Sequence, residues 1–317
     1  MSIKSSKISF IIQGPPKKMH YYKKSLQSLS FFFPDSEIII SNSNSEEVHT
    51  YLNKYTSLDL KNFKFISYPD PGPTNLSDGK KINLSRQIIG MQYGLDAVER
   101  DYVCRLRPEI YFKSQIIFKY LNAFEESFGT SNILASSITT KNPLISPNDF
   151  KLHVSDWFFF GKTSDLKDIY FINEEIDHQI FENKFSLPLT TETYLTVMYL
   201  IKKHHFKDNE IAKLSKIDCL KNILKNFIIK DPNEIGIDIL HWPYKFPFGN
   251  NGYLSLRGGL YDYHLKKIFN KESILPSSKN LYVLKLESFF YKYLRWPLIK
   301  ILIKLKKGIH FGINNKF

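Results

Sequence analysis

Cysteine is scarce in this sequence. Only Cys104 and Cys219 occur among the 317 residues, and neither lies in a Cys-x-x-Cys or Cys/His spacing typical of a zinc site. A disulfide-stapled scaffold is therefore excluded, and a reducing compartment is the simpler interpretation. The chain also lacks an uninterrupted apolar run of about 18 residues, which a membrane-spanning helix needs. Residues 1–10 contain lysines but no apolar segment before a cleavage site, so we expect no secretory signal.

Internal repeats and low-complexity linkers are also absent, which argues against a solenoid or a disordered chain. Positive charge is in excess, with a formal net charge of +13. Over half of this excess lies in residues 281–317, where eight Lys or Arg side chains accompany one acidic residue, Glu287. Apolar and aromatic residues are interleaved with these cations. The segment therefore predicts an amphipathic helix at an anionic membrane surface, kinked at Pro297.

Two alternatives exist for this basic segment. A terminal helix that packs its apolar stripe on the domain would need the same amphipathic pattern. Nucleic-acid binding would also use basic and aromatic residues, but the sequence contains no RRM, KH or helix-turn-helix signature, and the segment is rich in aliphatic residues. We therefore expect no nucleic-acid partner.

Short β-branched segments alternate with longer amphipathic ones along the first 207 residues, which predicts an α/β fold with a doubly wound, mostly parallel sheet. Within the helix at 82–98, we expect the apolar stripe to consist of Ile82, Ile89, Tyr93 and Ala97. We predict strands at 8–12, 37–41, 63–67, 102–106, 133–138 and 157–160, and helices at 19–33, 82–98, 115–126 and 190–202.

The pattern changes after about residue 208 to helices and a loop rich in glycine, proline and aromatic residues. We divide the chain into a sheet domain at 1–207, a helical and loop appendage at 208–280 and the basic segment at 281–317. In an open α/β sheet, ligands bind beyond the carboxyl ends of the strands. The polar residues there are Gln13, Gly14, Arg107 and Glu109.

Five motifs occur in order along the first 200 residues: ISFIIQGP at 8–15, DPG at 70–72, NLSRQI at 83–88, YVCRLRPEIYF at 102–112 and SDWFFFG at 155–161. Together they resemble the WavE lipopolysaccharide-synthesis family of GT-A-like glycosyltransferases. The resemblance implies that domain 1–207 binds a nucleotide-sugar donor. We expect 208–280, beyond the resemblance, to complete the acceptor side.

The sequence departs from the family pattern at one acidic position. The family usually has Arg-x-Asp where this chain has Arg107 and Glu109, and neither matches the Asp-x-Asp of other GT-A enzymes. Glu109 would still offer oxygen to Mn²⁺ or Mg²⁺, whereas Arg107 would bind the diphosphate directly. The alternative for both residues is a surface ion pair with each other.

The helix before the fourth strand brings polar residues toward the predicted donor. By resemblance, Asn83 and Arg86 are donor-binding residues, with Arg86 on the diphosphate. The alternative for Arg86 is a surface pair with an acidic neighbour such as Asp78. Gln13 and Gly14 would lie beside the base or ribose, with Gly14 permitting close backbone approach, unless they form only a tight turn.

Glu192 opens the predicted helix at 190–202 and is the most suitable general base for an inverting transfer. The alternative is a first-turn glutamate that is favoured by the helix dipole. Asp156 precedes the aromatic run Trp157–Phe160, and we assign it, with His153, to the acceptor side. Within that run, Phe158 and Phe160 are expected in the core.

The polar residues at the sheet edge, together with the pathway that the resemblance implies, predict a nucleotide-sugar-dependent glycosyltransferase that acts on lipopolysaccharide, capsule or a related bacterial surface glycan. It is expected in the cytoplasm, peripheral on the inner membrane. One alternative is transfer of a phosphosugar or polyol phosphate, which needs the same diphosphate site but no anomeric base. Another is a non-catalytic, membrane-bound partner of a glycan-assembly complex, which would fit the missing Asp-x-Asp.

Overall fold

A computed structural model gives the fold of the chain. Within the described residues, the strands are β1 (Ile8–Gln13), β2 (Glu37–Asn42), β3 (Phe63–Ser67), β4 (Thr74–Asn75), β5 (Lys81–Ile82), β6 (Tyr102–Leu106), β7 (Ile110–Phe112), β8 (Ile133–Ser136), β9 (Phe158–Lys162), β10 (Phe227–Lys230) and β11 (Ile237–Ile239). The structure describes residues 5–14, 19–60, 63–120, 133–144, 150–171 and 178–240.

Helices connect most of these strands. They follow the strands in the alternating order that the sequence predicts. Over the same described ranges they are α1 (Met19–Phe32), α2 (Ser45–Tyr55), α3 (Leu84–Asp96), α4 (Thr163–Ile169), α5 (His178–Phe185), α6 (Thr191–His204), α7 (Asp208–Lys213), α8 (Lys216–Asn226) and α9 (Pro232–Ile235), with a 3-10 turn at Ser5–Lys7.

Seven strands form one sheet in the order β10-β8-β9-β6-β1-β2-β3. Strand β9 runs antiparallel to both of its neighbours, and the other pairs are parallel. The predicted α/β class with a doubly wound, mostly parallel sheet is confirmed. Because β9 is reversed, its first residue, Phe158, pairs with the last residue of β6, Leu106. The loop before β9 therefore reaches the edge at which β1 and β6 end.

Both faces of the sheet are covered. Alternate strand residues enter two separate apolar cores, so that Ile11 and Val103 lie in one and Phe10 and Cys104 lie in the other. Helices α3, α6 and α8 supply the first core, and α1 and α2 supply the second. This is the doubly wound arrangement, and it explains why strands such as β1 are buried at every position.

The structure corrects the sequence predictions in two places. The buried stripe of α3 consists of Leu84, Ile88, Met91 and Leu95, whereas Tyr93 of the predicted stripe is 44% exposed. Helix α2 and strand β10 were not predicted. Because β10 pairs with β8, the segment 208–280 contributes an edge strand to the central sheet.

Other expectations are confirmed or lie outside the described residues. Phe158 and Phe160 are fully buried, and both cysteines are buried and unpaired. No helix in the described part of the chain is both long enough and apolar enough to cross a bilayer. The second half of the predicted helix at 115–126, residues 121–126, lies outside these residues, as does the whole basic segment at 281–317.

Candidate active site

The turns after β1 and β6 touch each other at the carboxyl edge of the sheet. A side chain added at Gly14 would place its Cβ 2.5 Å from Cδ of Pro108, which lies between Arg107 and Glu109. Residue 14 therefore has to be glycine for the two turns to approach this closely. The predicted donor residues Gln13 and Gly14 are thus adjacent to the predicted Arg107-x-Glu109 turn.

Gln13 joins strand β1 to the first turn of α3. Its Nε2 donates hydrogen bonds to the backbone carbonyls of Arg86, at 2.9 Å, and Gln87, at 3.2 Å. Gly90, one turn further along α3, leaves room for this contact, because a Cβ there would lie 2.7 Å from Gln13 Nε2. The side-chain amide of Gln13 is therefore held by protein groups at the start of the helix.

Arg86 makes a two-bond ion pair at the surface. Its Nε and Nη2 each donate to a carboxylate oxygen of Asp70 at 2.7 Å, and its Nη1 donates to Asn83 Oδ1 at 3.3 Å. The acidic neighbour is therefore Asp70, and the suggested neighbour Asp78 instead pairs with Lys80. The Arg86 guanidinium lowers the pKa of Asp70 below its ordinary value, chiefly through these hydrogen bonds.

Arg107 is fixed between a carboxylate and an aromatic ring. Its Nε lies 3.5 Å from Glu109 Oε2, and its guanidinium carbon lies 4.2 Å from the centre of the Trp157 ring. Arg107 and Glu109 therefore pair with each other, as the alternative predicted. Both side chains are partly buried, however, so this is not a fully exposed surface pair. A cation stacked on an aromatic face is held in place while its remaining N–H groups stay available.

Glu192 lies in the first turn of α6, after the N-cap Thr190, whose side chain accepts a hydrogen bond from the Thr193 amide. Its side chain is 19% exposed, and one carboxylate oxygen lies 3.7 Å from His153 Nε2. The pKa of Glu192 is raised from 4.5 to about 7, chiefly by burial and next by the negative charge of Asp156, against the opposing charges of Arg107 and Lys141. Glu192 therefore exchanges its proton near neutral pH.

His153 is neutral under these conditions. Burial lowers its pKa to about 3, and the nearby positive charge of Lys141 acts in the same direction. The contact between His153 and Glu192 is thus between an uncharged imidazole and a carboxyl group, not between two full charges. Lys141 and His153 are linked further through the backbone, since the Lys141 amide donates to the His153 carbonyl at 2.9 Å.

Asp156 lies beneath this surface and pairs with an arginine that the sequence analysis did not select. Asp156 and Arg105 are each 1% exposed, and their Oδ2 and Nη2 atoms are 3.6 Å apart. The same nitrogen of Arg105 lies 3.3 Å from Gln13 Oε1 and 3.4 Å from Gln87 Oε1. A charged residue inside the apolar strand Tyr102–Leu106 was the signal that could have identified Arg105.

The described side chains do not form a protein cage for a divalent cation. Within the ranges that the structure covers, no three His, Cys, Asp or Glu side chains are grouped closely enough to hold a metal ion. Glu109 already faces the Arg107 guanidinium. If Glu109 binds Mn²⁺ or Mg²⁺, phosphate oxygens of a donor would have to complete the coordination. Metal binding by Glu109 stays a prediction.

The site residues selected from the sequence fall into two neighbouring groups. Gln13, Asn83 and Arg86 gather at the start of α3. The others surround the turn after β6, and Arg105 connects the two groups through Gln13 and Asp156. The second group consists of Arg107, Glu109, Asp156 and Glu192, with His153 and Trp157 against it.

Comparisons with known proteins agree with the sequence motifs. The family model described as "WavE lipopolysaccharide synthesis" matches residues 8–254. A search of curated proteins finds no match.

Solved structures show weaker similarity. The galactosyltransferase LgtC, in complex with donor and acceptor sugar analogs, is 12% identical with a TM-score of 0.42, covering 88% of this chain and 95% of that chain. TarS of S. aureus is 13% identical with a TM-score of 0.35, covering 91% of this chain and 73% of that chain. These TM-scores are too low to support a functional inference.

Proposed function

Because the chain belongs to the WavE lipopolysaccharide synthesis family, we propose that this glycosyltransferase moves a sugar from a nucleotide-sugar donor to lipopolysaccharide, capsule or a related surface glycan. The observation that carries the proposal is Glu192. It is a partly buried carboxyl group whose pKa is raised to about 7, at the edge of the sheet where ligands bind in open α/β folds. A general base works best when its pKa lies near the operating pH.

We assign the proton transfer to Glu192. The acceptor hydroxyl attacks the anomeric carbon and gives its proton to the Glu192 carboxylate, while the bond from that carbon to the diphosphate oxygen breaks. The nucleoside diphosphate leaves with the electron pair of this bond. Attack from the side opposite the leaving group inverts the anomeric centre, and this geometry requires a base on the acceptor side.

Two arginines support departure of the diphosphate. Arg107 is held by Trp157 and Glu109, and it lies close enough to Glu192 for its charge to lower the pKa of that residue. Arg86, at the start of α3, would contact the diphosphate by exchanging part of its pairing with Asp70. Both guanidiniums can form two parallel hydrogen bonds to phosphate oxygens. Gln13 and Asn83 would lie beside the nucleoside.

Transfer of a phosphosugar or polyol phosphate would use the same arginines but would not need an anomeric base. The raised pKa of Glu192 favours sugar transfer over this alternative. We further propose that the enzyme is cytoplasmic and peripheral on the inner membrane, through the basic segment 281–317. Removing that segment should reduce binding to vesicles that contain anionic phospholipid. Unchanged binding would contradict the membrane assignment without affecting the proposed chemistry.

Thermal unfolding in the presence of UDP, GDP, CMP, CDP, ADP or dTDP, each with and without Mn²⁺, tests the donor site. A nucleotide at about 100 times its dissociation constant should stabilise the protein by about 2.7 kcal/mol. Glu109→Ala would remove any Mn²⁺-dependent part of that response. No response to any nucleotide would refute the donor proposal and favour the non-catalytic assembly partner.

Glu192→Gln then tests the base. The variant should keep the nucleotide response but lose about 10²- to 10⁴-fold in turnover of the matching sugar nucleotide, which is the usual contribution of a general base. Glu46→Gln is the matched control, because Glu46 occupies the same second position of a helix, α2, but is exposed. Full turnover by Glu192→Gln would remove Glu192 from the mechanism and support phosphosugar transfer.

A further inference from the structure

Arg105 is the largest charged side chain buried in the described part of the chain. It lies in the middle of the sheet on β6, between Cys104 and Leu106, both of which are fully buried. A single nitrogen, Nη2, makes its three polar contacts, to Gln13, Gln87 and Asp156, at 3.3 to 3.6 Å. These partners come from three different elements: the end of β1, the first turn of α3 and the loop before β9.

Stability does not explain this arrangement. The three contacts are long, and Nε and Nη1 of Arg105 have no hydrogen-bond partner among the described residues. Desolvating a guanidinium costs several kcal/mol, and a buried ion pair often stabilises a fold less than apolar residues of the same volume would. A buried polar group that is incompletely satisfied calls for another explanation, and function is one of those explanations.

The partners of Arg105 point to the active site. Gln13 and Gln87 belong to the donor side, since Gln13 binds the backbone at the start of α3. Asp156 belongs to the acceptor side, because His153 in the same loop lies 3.7 Å from Glu192 and the charge of Asp156 acts on Glu192. Tyr170 lies near the same pair, and the charges of both Arg105 and Asp156 act on its hydroxyl group.

We propose that Arg105 is a positioning residue, which holds the Asp156 side chain close to Glu192 and ties it to Gln13 and Gln87 on the donor side. This inference rests on the proposed function, because it assumes that Glu192 is the base. Arg105 does not contact substrate. It acts by keeping the Asp156 side chain at a fixed place near the carboxyl group that accepts the proton.

The charged and titratable groups around Glu192 set the expected effect. Asp156 raises its pKa, Arg107 and Lys141 lower it, and His153, neutral at pH 7, lies 3.7 Å away. Without Arg105, Asp156 would lose the ion-pair partner that fixes its side chain close to Glu192. Glu192 would then lose its repulsive neighbour, and its protonation midpoint would fall.

The test is a ¹³C NMR titration of the Glu192 carboxyl group in the full-length protein, assigned by its disappearance in Glu192→Gln. The midpoint should fall by about 1 pH unit in Asp156→Asn, the size expected for loss of one neighbouring charge. Arg105→Met should give a similar fall, and Arg105→Lys should restore the wild-type midpoint. In Arg105→Met/Asp156→Asn the fall should be no larger than in either single variant.

Thermal unfolding of the same variants measures their effect on the fold separately. Arg105→Met leaves a buried carboxyl group without its partner, whereas the double variant removes both charges, so the double variant should unfold at a higher temperature than Arg105→Met. Arg100 is an exposed arginine just before β6, and Arg100→Met is the matched control. It should leave the protonation midpoint of Glu192 unchanged.

Two outcomes would overturn the proposal. One is a wild-type midpoint in Arg105→Met, and the other is a double variant in which the two single shifts add. Neither outcome depends on turnover. Failure of the proposed function would appear elsewhere, as a wild-type protein that no nucleotide stabilises or as a Glu192→Gln variant with full turnover.

Discussion

Replacing Glu192 by glutamine should make the protein more stable at alkaline pH, at the cost of its activity. The folded state raises the pKa of this carboxyl group from 4.5 to about 7. Between these two values the folded state binds a proton that the unfolded state releases. The contribution of Glu192 to stability is therefore fully present below pH 4.5 and is lost as the pH rises through about 7.

The magnitude follows from the same two values. A difference of one pKa unit corresponds to about 1.4 kcal/mol, so the rise from 4.5 to about 7 amounts to about 3 kcal/mol over the whole window. Most of this loss falls between pH 5 and pH 8. Glutamine cannot ionise, so Glu192→Gln should not lose this stability. The neutral His153 contributes its own pH dependence, which is largely common to both proteins and cancels in the comparison.

Urea unfolding of both proteins at pH 5, 6, 7 and 8 measures this difference. The gain of Glu192→Gln over wild type should grow by about 2.5 kcal/mol between pH 5 and pH 8, with similar slopes against urea. Glu46→Gln, in the exposed first turn of α2, should instead lose about 0.3 to 1 kcal/mol through the helix dipole at each of these pH values. A Glu192→Gln gain that does not change with pH would refute the assigned burial and charge environment of Glu192.

Two further predictions concern the turn after β6. Gly14→Ala should destabilise the fold by about 1 to 3 kcal/mol in thermal unfolding, because its Cβ would overlap the Pro108 ring, and Gly14→Ala/Pro108→Ala should recover part of that loss. An unchanged melting temperature in Gly14→Ala would show that the two turns separate easily. Trp157→Leu should weaken nucleotide binding several-fold in calorimetric titration, since Arg107 loses an interaction of about 0.5 to 2 kcal/mol, whereas Trp157→Phe should retain most of it. Equal affinities for the two Trp157 variants would exclude the stacking role.

The sequence predicted most of the sheet because its strands are short, rich in apolar and β-branched residues and separated by clear turns. Strand β10 lacked these signals. It is only four residues long and directly follows α8, with no glycine or proline between them. Helix α2 was missed although Asn44 caps it and Glu47 follows three residues later, a spacing that marks helix starts.

The stripe of α3 was misassigned because the helix is apolar on more than one side. Periodicity gives two overlapping stripes in such a helix, and packing against the sheet decides between them. The structure buries the stripe that contains Ile88 and Met91 and leaves Tyr93 at the surface.

Arg105 shows the limit of sequence reasoning about the site. Its position inside an apolar strand is visible in the sequence, but its partners are not, because Gln13 lies 92 positions earlier in the chain. Glu192 could be selected by its place at a helix start. The raised pKa of Glu192 could not be predicted from the sequence, since it depends on the burial and the neighbouring charges that folding creates.

The reversed direction of β9 has a consequence for how this scaffold can diversify. At the carboxyl edge of a parallel sheet, only the segments that follow the strands are available for binding. Because β9 runs in the opposite direction, the segment that precedes it, residues 150–157, also lies at this edge. Under the proposed function, acceptor-facing groups lie on this segment and donor-facing groups lie on β1, α3 and the turn after β6, with Asp156 and Trp157 linking the two sets. Exchange of 150–155 between related enzymes, with Asp156 and Trp157 kept, should therefore alter the choice of acceptor and leave the nucleotide preference unchanged.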